Sequence, residues 1–234
     1  MNKLILGVAA AALMATGSAN AAFIMSLDDS STAGIDRIVQ DDTLAGVLTS
    51  IGLTTNSDSD FGSGAGVVGY GGGFGSFILN LTAGISKPVI REPGTMLDLM
   101  SLTVSGGTGT LTIKLTDTGF LRGGAGFLNF NIGGTTDGTI SAQAYMDSAN
   151  TEFGTGTLLG SMTSSSPAFA YTSAGTTVNT TDPYSLTLVT SVTYANAGDV
   201  LSFDANVVLE FSMLVLMSLG LIGLGFAGRR KLAK

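Results

Sequence analysis

Residues 110–116 read Thr-Leu-Thr-Ile-Lys-Leu-Thr, with apolar and polar side chains in strict alternation. Successive side chains of a strand point to opposite faces, so Leu111, Ile113 and Leu115 share a buried face while Thr110, Thr112, Lys114 and Thr116 face water. The period returns over a longer stretch, where Tyr184, Leu186, Leu188, Val192 and Tyr194 stand opposite Ser185, Thr187, Ser191 and Thr193. Phe77, Leu79 and Leu81 form one side of another such run. So do Ile140, Ala142, Ala144 and Met146, and likewise Leu201, Phe203, Ala205 and Val207. Between these runs lie GYGGGFG, SGGTG, GGAG, IGGTTDG and ANAGD, Gly- and Asx-rich segments that read as turns. Alternating runs punctuated in this way predict an all-β fold, an antiparallel β-sandwich of about nine or ten strands, jelly-roll-like. Residues 34–50 fit either a strand or a short helix. No internal repeat of fixed period is present, which disfavours a propeller or solenoid.

The two ends of the chain have a different character. Met1, Asn2 and Lys3 precede an apolar core, Leu4 to Met14, and the small-residue site Ala19-Asn20-Ala21 follows. That order is a secretory signal peptide over residues 1–21, cut so that the mature chain begins at Ala22. At the other end no residue from Phe211 to Gly228 is charged, and Arg229, Arg230 and Lys231 come directly after. The run is long enough for a short transmembrane helix, and the basic cluster would hold its end on the cytoplasmic side. An exported domain, residues 22–206, would then lie across the membrane from the basic tail 229–234.

The segment 207–234 resembles the C-terminal sorting signal of PEP-CTERM proteins, in which a Val-Pro-Glu-Pro-Ser box precedes a Gly- and Leu-rich helix and an Arg-rich end. Here the box stands as Val208, Leu209, Glu210, Phe211 and Ser212, with Leu209 and Phe211 in place of both prolines. The resemblance implies export by the secretion machinery, transient or permanent residence in the inner membrane, and tail removal by an exosortase-like sorting enzyme. Gly75–Pro88 and Met96–Phe120 also look like a recurring β-rich domain of PEP-CTERM exoproteins. That likeness carries no catalytic residues with it.

Composition narrows the chemistry further. Residues 22–206 hold five basic residues against 16 acids, a formal charge of −11. Without clustered Lys and Arg, nucleic acid is not an expected partner. The chain has no Cys and no His, which removes thiol nucleophiles, disulfides, Ser-His-Asp arrangements and His- or Cys-ligated metals. Trp is absent and Tyr numbers 5, too few for the aromatic girdles of an outer-membrane barrel. No enzyme and no cofactor are expected.

The remaining candidates are oxygen ligands. Asn56, Asp58 and Asp60 alternate as the ligands of a calcium loop do, although Phe61 stands where such a loop has Gly and no Glu closes it. Asx-turns in a solvated loop are the simpler reading of the same residues. GYGGGFG lacks the Lys-Ser/Thr ending of a phosphate-binding loop and reads as a hairpin or loop. The Thr-rich outer faces could meet ordered water or sugar hydroxyls, although Thr is also simply a good strand residue. The expectation is a non-enzymatic cell-surface or extracellular-matrix protein. The alternative is a permanently anchored periplasmic module that binds carbohydrate, exopolysaccharide included, or another envelope partner.

Overall fold

The computed structural model describes residues 22–30, 37–41, 65–90, 94–105, 107–121, 126–178 and 182–210. Within them run thirteen strands: β1 (Phe23–Asp29), β2 (Arg37–Gln40), β3 (Val67–Phe74), β4 (Phe77–Ile85), β5 (Gly94–Ser105), β6 (Gly109–Phe120) and β7 (Gly126–Thr136), then β8 (Thr139–Asp147), β9 (Thr157–Ser164), β10 (Ala168–Thr172), β11 (Thr176–Val178), β12 (Tyr184–Tyr194) and β13 (Val200–Glu210). No helix among them is long and apolar enough to cross a membrane, and the helix expected at 211–228 lies outside the described residues.

The strands form two antiparallel sheets. One has the order β2-β1-β6-β12-β8-β9; the other runs β10-β7-β13-β5-β4-β3, with β11 also paired to β7. Embedded in them are β6-β12-β8-β9 and β5-β13-β7-β10. From β5 onward the chain changes sheet at every connection between these eight strands except the β8–β9 hairpin. That is the strand order of a jelly roll. The pairs β1–β2 and β3–β4 extend one edge of each sheet.

The expected inner faces are the ones that pack. Leu111, Ile113 and Leu115 of β6 and Leu186, Leu188 and Val192 of β12 join Leu97 and Leu99 of β5 and Leu201, Phe203, Ala205 and Val207 of β13 in a single core. Phe77 of one sheet and Tyr194 of the other meet with ring centroids 5.7 Å apart. Inner-face hydroxyls satisfy one another: Thr82 and Ser101 are 2.8 Å apart, and Ser101 and Thr103 2.9 Å. A buried hydroxyl left without such a partner would cost about 1–3 kcal/mol.

Three expectations need correction. The strand count is thirteen among the described residues rather than nine or ten. GYGGGFG is mostly strand, because Gly69 to Phe74 pair along β4 through their backbones while Tyr70 and Phe74 supply the buried side chains. In IGGTTDG only Asp137 and Gly138 turn, the rest being the end of β7. Glycine supports a ladder where neighbouring strands supply the pairing, although alone it signals a turn.

The β3–β4 turn is tied to the opposite sheet. Gly75 adopts a φ of +54°, and the amide of Ser76 donates to Asp29 Oδ2 at 2.9 Å. A Cβ on Gly75 would lie 1.9 Å from that carboxylate oxygen. Gly75→Ala is therefore expected to lower unfolding free energy by about 1–3 kcal/mol in urea titration. Gly73→Ala, where a Cβ meets nothing within 4 Å, should change it little.

Candidate functional site

The outer face of the β6-β12-β8-β9 sheet is a ladder of hydroxyls. Thr110 and Thr193 are 2.8 Å apart, Thr112 and Ser191 2.9 Å, and Thr116 and Thr187 3.1 Å. Thr163 donates to Ser141 at 3.5 Å. Register extends one rung across four strands, Thr112 opposite Ser191, Ser191 opposite Ser141, and Ser141 opposite Thr163. Neighbouring strands lie about 4.8 Å apart, which sets the spacing along the rung. The Thr110–Thr193 and Thr112–Ser191 rungs each use one hydroxyl proton internally and leave another to donate outward, whereas Thr116 donates to the Leu186 carbonyl at 3.1 Å. Lys114 interrupts the pattern opposite Val189.

One end of this ladder is closed. The loop after β8 folds over it, with the Phe153 amide donating to Thr116 Oγ1 at 3.2 Å and Ser185 Oγ donating to the Thr151 carbonyl at 2.7 Å. Asp147 holds the loop by accepting from the Ala149 amide at 3.1 Å and from the Thr151 hydroxyl. Those bonds hold its carboxyl below the usual range. Thr116 and Thr187 are buried as a result, and the accessible hydroxyls are those around Thr112, Thr139, Ser141, Thr163, Ser191 and Thr193.

The outer face of the other sheet is acid and amide. Asn206 of β13 lies between Asp98 of β5 and Asn131 of β7, and Asn131 Nδ2 donates to Asn206 Oδ1 at 3.1 Å. Asp204 is next along the same face of β13. Burial first, then a hydrogen bond and charge repulsion from Asp204, push the Asp98 carboxyl up to about 7. Asp98 thus keeps its proton well above the usual carboxylate range and releases it only near neutral pH.

A third polar group is internal. Asp117, fully buried on β6, receives Lys87 Nζ at 2.7 Å and Ser86 Oγ at 2.5 Å. Lys87 also donates to the Thr118 carbonyl at 2.5 Å and sits 4.1 Å from the Phe120 ring centroid. Burial raises the Asp117 carboxyl more than Lys87 and the hydrogen bonds lower it. Ser86 and Lys87 follow β4 in one sheet while Asp117 belongs to the other, so the cluster links the sheets at one end of the sandwich. No group of three or more metal-ligating side chains occurs among the described residues.

The structure places only some of the residues singled out from sequence. Ala22 immediately precedes β1, its amide donating to Thr118 Oγ1 at 2.8 Å. Val208, Leu209 and Glu210 are the last three residues of β13, and Leu209 is buried between Gly94 and Leu128. Ala19, Ala21, Phe211, Ser212, Arg229, Arg230 and Lys231 lie outside the described residues, as do Asn56, Asp58 and Asp60 of the calcium reading. The Asp98–Asp204 pair went unforeseen, since nothing in sequence relates acids so far apart. The place of Asp117 did have a signal, because it continues the Leu111, Ile113, Leu115 period onto the buried face.

No family model and no curated protein matches this chain. Among solved structures it is similar to TmCBM61 in complex with β-1,4-galactotriose, at 13% identity over 62% of this chain and 87% of that one, with a TM-score of 0.30. At that score the likeness bears no weight for this chain.

The acid pair sets a pH dependence. An unfolded Asp98 releases its proton near 3.8 and the folded one near 7, so between these values the folded state binds more protons and stability falls as pH rises. Asp98→Asn keeps a donor for Asp204 without titrating. Thermal unfolding followed by circular dichroism should show the variant melting higher than the parent at pH 8, with a flatter profile from pH 4 to 7. An unchanged slope would place the titration elsewhere.

Proposed function

We propose that this chain is a non-enzymatic exported protein of the cell surface or extracellular matrix, delivered by the secretory route and sorted through its C-terminal tail. The observation that carries this reading is the fit between fold and ends. The first strand begins at Phe23, two residues after the Ala-x-Ala site, and the last ends at Glu210, just before the uncharged run. Every described strand lies between Ala22 and Glu210, so cuts after Ala21 and beyond Glu210 would leave each of them intact. The absence of His and Cys accords with a non-enzymatic role, since the usual bases and nucleophiles near neutral pH are missing.

Mass spectrometry of terminal peptides from membrane and extracellular fractions tests the proposal. The amino-terminal peptide should begin at Ala22 in both pools, and the extracellular pool should lack the chain beyond about Glu210. A carboxyl terminus at Lys234 found only in membranes would replace sorting with permanent anchoring.

The hydroxyl ladder favours a second reading, a module that holds polysaccharide on its outer face. Its rungs offer neutral donors and acceptors at strand spacing, with Lys114 of β6 and Asp28 of β1, opposite Thr112, as the charges beside them. Replacing Thr112 and Ser191 together by Val removes one rung. Retention on exopolysaccharide from the producing cells should then fall roughly three- to tenfold, the worth of one or two hydrogen bonds. Retention that does not change would exclude this face.

A further inference from the structure

Among the described residues the sheets end in β2 and β9 on one side of the sandwich core and in β3 and β10 on the other, with β11 continuing the β10 edge along β7. Exposed edges present unpaired N–H and C=O groups, and folded proteins blunt them with charges, bulges or very short strands. Strand β2 has four residues and opens on Arg37. A bulge between Tyr70 and Gly72 breaks the register of β3, and another opposite Ala144 and Tyr145 breaks that of β9. Strand β10, of five residues, has neither charge nor bulge. It pairs with β7 in unbroken register from Ala168 opposite Thr135 to Thr172 opposite Asn131, and no side chain in it is charged.

The charge pattern around this edge is unusual for so acidic a domain. No charged residue occurs between Glu152 and Asp182, a run that contains β9, β10 and β11 entirely. Elsewhere the formal charge of −11 on residues 22–206 keeps two copies apart; here they can come within hydrogen-bond distance with little repulsion. The outward side chains Ala168, Ala170 and Thr172 are small and exposed. Beside them an open groove of about 340 Å³, lined by Met162, Thr163, Phe169 and Tyr171 among others, runs between the β9 and β10 edges. An added strand has room there.

We infer that β10 is a self-association edge, on which the β10 of a second copy pairs antiparallel about a two-fold axis near Ala170. The contact is isologous, so one straight, charge-free strand supplies both halves and the seven-stranded sheet runs on into its partner's. This contact does not depend on how the chain is sorted.

The chain has no Cys, so a single introduced one reports only its own neighbours. The two-fold axis sets Ala170 opposite its copy with Cβ atoms about 5 Å apart. In producing cells, Ala170→Cys should form a covalent dimer with oxidant or a short bis-maleimide, at least tenfold more than Thr193→Cys on the far face. In sedimentation of the purified full chain, the parent should run as a dimer and Ala170→Lys as a monomer of unchanged melting temperature, with Thr172→Lys substituting should the first variant not fold. A parent that stays monomeric at high micromolar concentration overturns the inference. So does a dimer that survives the lysine variants, or equal cross-linking at positions 170 and 193.

Discussion

The last two described strands, β12 and β13, are middle strands of the two sheets, and the rest of the fold waits on them. Without β12, one sheet is only the separate pieces β2-β1-β6 and β8-β9; without β13, the other is β10-β7 and β5-β4-β3. Each piece exposes half a core. The pairings that join them span long stretches of sequence, as in Leu188 with Leu115 or Ala205 with Leu99, and their loop-closure entropy must be met before any contact rewards it. With no disulfide to hold the pieces, cohesion comes from the shared core and from a few polar links between the sheets.

Those links show how one kind of side chain serves opposite ends. Asp117 is buried beside Lys87, and breaking such a pair by removing one partner usually costs far more than replacing both with apolar groups. Its value lies in position, since only one arrangement of the sheets lets Ser86 and Lys87 reach it. Asp29 performs the same task at the β3–β4 turn with a backbone amide as its partner. Asp98 faces another carboxylate, Asp204, and meets the difficulty by holding its proton up to about pH 7. The first two carboxylates fix the register between layers, whereas the third leaves the outer face responsive to pH in a chain without histidine.

How legible each strand is in the sequence follows from where it lies. Strands β6, β8, β12 and β13 set apolar residues on one face against mostly polar ones on the other, so Leu111-Ile113-Leu115 or Leu201-Phe203-Ala205-Val207 could be assigned to the core by period alone. Of the strands that passed unread, β1, β5 and β7 are internal, and others are at edges or rich in glycine. In β9 only Leu159 is fully buried, and in β10 only Phe169, too little to give a period-2 signal. In β3 the run Gly71 to Gly73 has no side chains to show a period at all. The candidate surfaces divide in the same way. The hydroxyl ladder is legible because its members alternate with the core residues of the same strands. The Asp98–Asp204 pair depends on the register between β5 and β13, which no local pattern contains.

Register also bears on the box at the end of the chain. Leu209 stands where the sorting signature has its first proline, and in the folded domain it is paired on both sides, to Gly94 and to Leu128. Proline has no N–H for such a ladder and is confined to edges and bulges, so a central strand running through Glu210 excludes it. Leu209 is also a core residue, and Pro would not fill its place. Residues 208–210 therefore belong to the fold before they belong to any signal, and a cut on their amino side would strip the closing strand of its last rungs. A cut beyond Glu210 removes nothing that β5 or β7 holds. If the tail is released from a folded domain, that boundary is where sorting and stability stop competing for the same residues.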